Sequence, residues 1–173
     1  METLQRHFFR MEKVAVMKEL TSDEALLMYP QLCALERLCF GDSEVPLEVG
    51  ELNLVLVQEE EKQIVAMLNA KRTLFIKDPV LEITNLCTHP DYQKQGFASL
   101  LLQRALDLAS EAHLKFAVLQ VSKTAFAAQR LYAKFQFEQF FDRKDWKSLK
   151  RALSSHPSGE FAGSHKLLSP FEQ

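Results

Sequence analysis

One junction constrains this chain more than any other. A strand-like run ends at Thr88-His89-Pro90, a polar turn follows through Asp91-Tyr92-Gln93-Lys94-Gln95-Gly96, and the clearest amphipathic helix in the sequence begins. From Gly96 to Ala112, Phe97, Leu101, Ala105 and Leu108 share one face, joined by Ala98, Leu102 and Ala109. A strand-to-helix turn leaves the first N–H groups of the helix unpaired and pointing outward. With the helix dipole they form an anion site suited to phosphate. Gly96 lets a ligand approach the backbone, and Ala98 keeps the first turn uncrowded. Neither GxxxxGK[ST] nor GxGxxG is present, so the site is neither a Walker loop nor a dinucleotide fingerprint.

Around that junction the periodicity alternates between strand and helix. Residues 1–13 read as a leader and 14–173 as one domain, with 142–173 its less typical part. Val14–Leu20 is expected as a strand, and Thr21-Ser22-Asp23 offers capping side chains for a helix from Asp23 to Phe40. Gly41 to Glu51, with Pro46 and Gly50, is a loop or a short irregular helix. Leu52–Val57, Ile64–Leu68 (running on toward Ile76) and Val80–Thr88 are strands. Beyond the central helix come a strand Lys115–Val121, a helix Thr124–Phe135 and a strand Phe137–Phe141. Asp142–Leu153 carries Arg143, Lys144, Lys147, Lys150 and Arg151 and reads as a solvated surface helix with Trp146 and Leu149 turned inward. Phe161–Ser169 is expected as a closing strand. The order β-α-β-β-β-α-β-α-β-β is that of a mixed α/β domain around one sheet.

Several functions are excluded by arithmetic. The 173 residues carry 21 Lys+Arg against 23 Asp+Glu, a formal charge of −2, so nothing advertises nucleic acid as a partner. The longest uncharged run, Ala25–Leu35, is 11 residues, and a membrane span needs about 18. No membrane partner is expected, and the cytoplasm is the expected location. Three cysteines (33, 39 and 87) without a CxxC pair argue against a disulfide framework or a structural zinc. The five histidines never fall at i, i+3 or i+4 from one another, so no metal site is expected.

Gln93-Lys94-Gln95-Gly96-Phe97-Ala98 fits the Q/R-x-x-G-x-G/A motif, and the preceding ITNLCTHPDYQ resembles I-x-x-L-x-V-x-P-x-Y, with Thr88 at the usual Val. About 30 residues on, LQVSKTAFAAQRLYAKFQF resembles a strand followed by a helix containing A-x-x-L-Y and then G-F. Together these resemble the signatures of the GNAT superfamily of acyl-CoA-dependent N-acyltransferases, over about residues 14–140. Two positions depart from the pattern: Ala125 stands where Asn is usual, and Gln136 replaces the Gly of G-F.

The resemblance implies a mostly antiparallel twisted sheet, splayed between its fourth and fifth strands, with helices on both faces. It implies acetyl-CoA as co-substrate, its pantetheine in the gap against the backbone of Leu86, Cys87 and Thr88. The amides of Gln93, Lys94, Gln95, Gly96, Phe97, Ala98 and Ser99 would hold its pyrophosphate. Tyr132 matches the tyrosine aimed at the thioester sulfur, and Glu82 the glutamate that some members use as general base. The implied activity is transfer of an acetyl group to a primary amine, on a small molecule or a protein, by direct attack rather than through Cys87. A second reading, a GNAT-like module that binds acyl-CoA or a partner without turnover, rests on Ala125 and Gln136. The Phe-rich strand 137–141 is available for a homodimer interface.

Overall fold

The computed structural model describes residues 15–42 and 46–153. The expected leader 1–13 and the strand 161–169 lie outside them. The first strand, β1 (Ala15–Leu20), leads into α1 (Ser22–Leu27). Thr21 and Glu24 close a reciprocal capping box: Thr21 Oγ1 accepts from the Glu24 N–H at 3.2 Å, and Glu24 Oε2 accepts from the Thr21 N–H at 2.8 Å. The single helix expected from Asp23 to Phe40 is two. Met28 leaves helical geometry, and α2 (Tyr29–Phe40) restarts with Pro30 in its first turn. Pro30 has no N–H to bond back to Leu26, and its ring would crowd that carbonyl in a continuous helix.

The remaining elements are β2 (Leu52–Gln58), β3 (Ile64–Phe75), β4 (Asp78–Thr88), a short 3-10 turn at Pro90–Tyr92, α3 (Phe97–Glu111), β5 (Phe116–Ser122), α4 (Phe126–Lys134), β6 (Glu138–Asp142) and β7 (Trp146–Ala152). They form a seven-stranded sheet in the order β1-β2-β3-β4-β5-β7-β6. Every neighbouring pair is antiparallel except β4–β5, which is parallel.

The basic stretch 142–153 is therefore a hairpin arm and not a helix. Alternation turns Leu149 inward while Trp146 stays half exposed. Lys147 pairs across from Asp142, and Lys150 from Glu138. Opposite charges facing across strands favour that pairing, and β7 also covers the outer edge of β5.

Helices cover both faces. Leu54 and Leu56 of β2, with Leu81 and Ile83 of β4, pack against Leu101, Leu102 and Leu106 of α3. Val55 and Val57, with Met67 and Cys87, pack instead against Ala25, Leu32 and Leu35 of the first two helices. All of β2 is consequently buried. Its one interior polar residue besides the terminal Gln58, Asn53, accepts from Asn69 Nδ2 at 2.9 Å and donates to the Gly50 carbonyl at 2.8 Å. Pairing of this kind is what makes buried amides tolerable.

Candidate active site

The parallel strands β4 and β5 pair through Val80–Phe116, Leu81–Ala117, Glu82–Val118 and Ile83–Leu119, and there the ladder stops. β4 runs on to Thr88 and β5 to Ser122, so past Ile83 the facing edges part. The parting coincides with an irregularity. Asn69 is opposite Asn85 while Ala70 is opposite Ile83, which leaves Thr84 as an extra residue in β4. A bulge of this kind bends its strand and raises the local twist. Thr84 Oγ1 donates to the Asn69 carbonyl at 3.2 Å, fixing the bulge from the β3 side.

The gap runs straight into the Gln93–Ser99 turn. His89 Nδ1 accepts from the Asp91 N–H at 3.2 Å, so this histidine caps the turn. Tyr92 is buried against Phe97 and His89 and anchors the turn to the core. Lys94 has φ of 61° and Gly96 of 85°, both left-handed. Alternating helical signs make successive N–H groups converge on one concavity. The N–H groups of residues 94–99 donate to no protein acceptor among the described residues. The turn is therefore built of unpaired donors at the start of a 15-residue helix. A Cβ at Gly96 would meet nothing within 4 Å, so the backbone angle, not crowding, requires glycine there.

The β4 residues expected along the ligand fall into distinct roles. Cys87 is buried on the α2 side, and Leu86 is half-buried on the α3 side. The Thr88 carbonyl is already taken by the Cys39 Sγ–H at 3.3 Å and by Gln93 Nε2 at 3.4 Å. The Thr88 hydroxyl and the Asn85 side-chain oxygen, by contrast, are buried without a hydrogen-bond partner among the described residues. Orphaned polar atoms are rare in native interiors, and these two lie on the segment where β4 has lost its neighbour.

Tyr132 lies on α4, buried in the same core cluster as Ile83, Leu119 and Val121. Burial pushes its phenol up to about 12. Glu82 alternates with Leu81 and Ile83 and so occupies the opposite face. It sits directly across from Lys71, whose Nζ lies 3.8 Å from its carboxylate and 2.7 Å from that of Glu48. Cys87 is a poor nucleophile: the adjacent Cys39 thiol and burial hold its own thiol far above the usual range.

One residue escaped the sequence reading. Glu36 of α2 accepts from Asn85 Nδ2 at 3.2 Å, and burial raises its carboxyl despite that bond. Its helical neighbours Cys33 and Tyr29 gave no local signal of a site. Proximity to the bulged half of β4 exists only in the folded chain. Among the described residues no group of His, Cys, Asp and Glu could hold a metal ion, and no helix is long and apolar enough to cross a membrane.

A parted parallel strand pair feeding an unpaired amide turn is the architecture of an acyltransferase fold, and comparison makes the assignment specific. Residues 17–137 match the model of the acetyltransferase (GNAT) family. The chain belongs to that family. No curated protein matches its sequence.

Solved structures share the fold at low identity. The ribosomal-protein-S18-alanine N-acetyltransferase from Escherichia coli superposes with a TM-score of 0.65 at 18% identity, covering 86% of this chain and 99% of that one. A chain of the NatC complex bound to Gag peptide and CoA gives 0.66 at 16% identity, covering 81% and 99%. The PaiA N-acetyltransferase from Thermoplasma acidophilum, in complex with coenzyme A, gives 0.64 at 12% identity, covering 80% and 99%.

Proposed function

We propose that this protein transfers an acetyl group from acetyl-CoA to a primary amine, by direct attack within a ternary complex. The observation that carries this reading is the continuity of the site. The β4 edge is unpaired from Thr84 onward and leads into the free amides of residues 94–99. An extended pantetheine amide chain suits the first, and a pyrophosphate the second. The orphaned Thr88 hydroxyl and Asn85 oxygen add polar partners along the same segment. Tyr132 lies on the α3 side of the sheet and Glu82 on the other, one residue before the ladder ends at Ile83, and we assign both to one reacting centre there.

The amine sets the energetic problem. A lysine-like amine of pKa about 10.4 is neutral in only about 1 part in 2,500 at pH 7, a cost of about 4.6 kcal/mol. Glu82 is the group we assign to accept that proton, directly or through water. Oxyanion stabilisation falls to backbone N–H groups on the freed edge near Leu86 and Thr88.

Tyr132 is assigned to the leaving sulfur. With a phenol at about 12 and an ordinary thiol near 8.5, full proton transfer would run uphill by roughly 5 kcal/mol. Its contribution is thus a hydrogen bond to the departing thiolate, with the proton coming from the amine. The inert Cys87 thiol supports direct attack over an acyl-cysteine.

Release of free thiol from acetyl-CoA with a panel of amines tests the reading. Turnover that Tyr132→Phe lowers by about 10²-fold while acetyl-CoA affinity persists supports an enzyme. Acetyl-CoA binding without turnover toward any amine would leave the binding-module reading in its place.

A further inference from the structure

On the face that carries Glu82, Phe75 at the end of β3 meets Phe140 in β6. Their ring centroids are 5.3 Å apart at 78°, an edge-to-face contact. In the sheet order β4, β5 and β7 lie between these two strands. At a spacing of about 4.8 Å per strand, a flat sheet would hold them roughly 19 Å apart. The sheet therefore coils over this face until its β6 edge reaches the C-terminal end of β3. Beneath the contact is an open cavity of about 530 Å³, walled by Phe75, Val80, Val118 and Phe140, with Glu82 and Gln120 in its lining.

The charges around it are unbalanced. Among the described residues Glu82 is the one carboxylate lining the cavity; Lys71, 3.8 Å from it, is held more closely by Glu48 at 2.7 Å. Arg143 also lines it, its guanidinium 5.5 Å from the Phe141 ring centre. Lys150 Nζ lies 5.6 Å from the Phe140 ring centre and 5.7 Å from that of Phe116. The cavity thus offers one carboxylate for one ammonium, apolar walls for what the ammonium is attached to, and one guanidinium, Arg143, in its lining.

We infer that the acceptor is a primary monoamine carrying an aryl or branched alkyl group, which Phe75, Val118 and Phe140 receive while the amine faces Glu82. A polyamine would bring a second ammonium toward the Arg143 guanidinium in the lining, with no second carboxylate there among the described residues to meet it. This rests on the reading that Glu82 marks the acceptor side.

The test compares 2-phenylethylamine, 3-methylbutylamine, ethylamine and spermidine as acceptors, followed by thiol release. It is paired with saturation-transfer NMR of 2-phenylethylamine binding, which needs no turnover. The two apolar amines should exceed ethylamine in kcat/KM by about 10- to 100-fold, with spermidine below ethylamine. Phe140→Ala should erase about tenfold of that preference. Gln120→Trp, at an exposed strand position, should fill the cavity and block 2-phenylethylamine without opening a void. Binding of 2-phenylethylamine that Gln120→Trp removes, with no amine acetylated, would uphold the cavity and sink the transferase reading. Acetylation with equal kcat/KM for ethylamine and 2-phenylethylamine, or a preference for spermidine, would overturn the inference and leave the transferase standing.

Discussion

Tyr132 and Phe137 are the two ends of one helix-stop motif. The Phe137 N–H donates to the Tyr132 carbonyl at 3.0 Å, the Gln136 N–H donates to the Ala133 carbonyl at 2.9 Å, and the two rings meet edge to face at 5.7 Å. This is the Schellman arrangement, which places the residue between them in left-handed backbone. That residue is Gln136, with φ of 62°. The family pattern has glycine there, and the chain keeps the geometry without it. Gln136→Gly should raise stability by about 0.5–1 kcal/mol, since relief of about 1–2 kcal/mol of left-handed strain is offset by the entropy of an added glycine. For a domain of this size that is a rise in Tm of about 1–4 °C. A fall in Tm would mean that the motif is not strained.

Tyr132→Phe removes one hydroxyl from a packed ring and leaves the Phe137 contact in place. Acetyl transfer should fall about 10²-fold, the scale of losing one oriented donor, with acetyl-CoA affinity within about twofold. Because burial holds the phenol at about 12, the wild-type pH–rate profile should show no inflection from it below pH 10. Stability should respond in the alkaline range. The unfolded phenol ionises near 10 and the folded one near 12, so the folded state keeps its proton longer and stability falls as pH rises from about 10.

The two carboxyls beside the gap should separate cleanly. Glu82→Gln should lower kcat by about 10²-fold or more if it is the base. Glu36→Gln should leave turnover within about threefold and act on stability instead. Burial raises the Glu36 carboxyl in the folded state, so folding is penalised above the ordinary carboxylate pKa and not below it. Thermal scans should find Glu36→Gln more stable than wild type at pH 7, with the gain shrinking as pH falls through 4. A large kcat loss in Glu36→Gln and none in Glu82→Gln would exchange the two roles.

The two glycines beside the sheet fail differently on substitution. At Gly50 a Cβ would lie 2.1 Å from the Ala70 carbonyl oxygen, a backbone atom that cannot step aside. Gly50→Ala should cost about 3 kcal/mol or more, as overpacking against fixed atoms does. At Gly96 space is open and only φ objects, so Gly96→Ala should cost about 1–2 kcal/mol. It should nonetheless weaken acetyl-CoA binding at least tenfold by turning the amides of the 94–99 loop. Urea titration and calorimetry separate the two effects.

The elements nearest the site were legible because their signals are local. The 97–111 helix follows from apolar spacing, and the anion turn from Gly96 at a strand-to-helix junction. The first helix was cut at Met28 by Pro30, a break its continuous apolar pattern concealed. In sequence the hairpin arm 146–152 reads as a helix because its lysines carry no short-range strand signal. What makes it a strand is Glu138, Asp142 and the edge of β5, the last some 30 residues upstream. Glu36 and the Phe75–Phe140 contact were invisible for the same reason: each joins elements from distant parts of the chain. Thr84 as the bulge is a matter of register between β3 and β4, which composition does not encode.

The central claim is that the gap beyond Ile83 and the amides of 94–99 hold acetyl-CoA, and thermal unfolding with that ligand tests it most directly. At about 100 times Kd a ligand adds about 2.7 kcal/mol, which here is a rise in Tm of roughly 5–11 °C. The account predicts that rise with acetyl-CoA, none with ATP or NAD at the same concentration, and its loss in Gly96→Ala. An unchanged Tm in millimolar acetyl-CoA, from a protein that unfolds cooperatively, would contradict it.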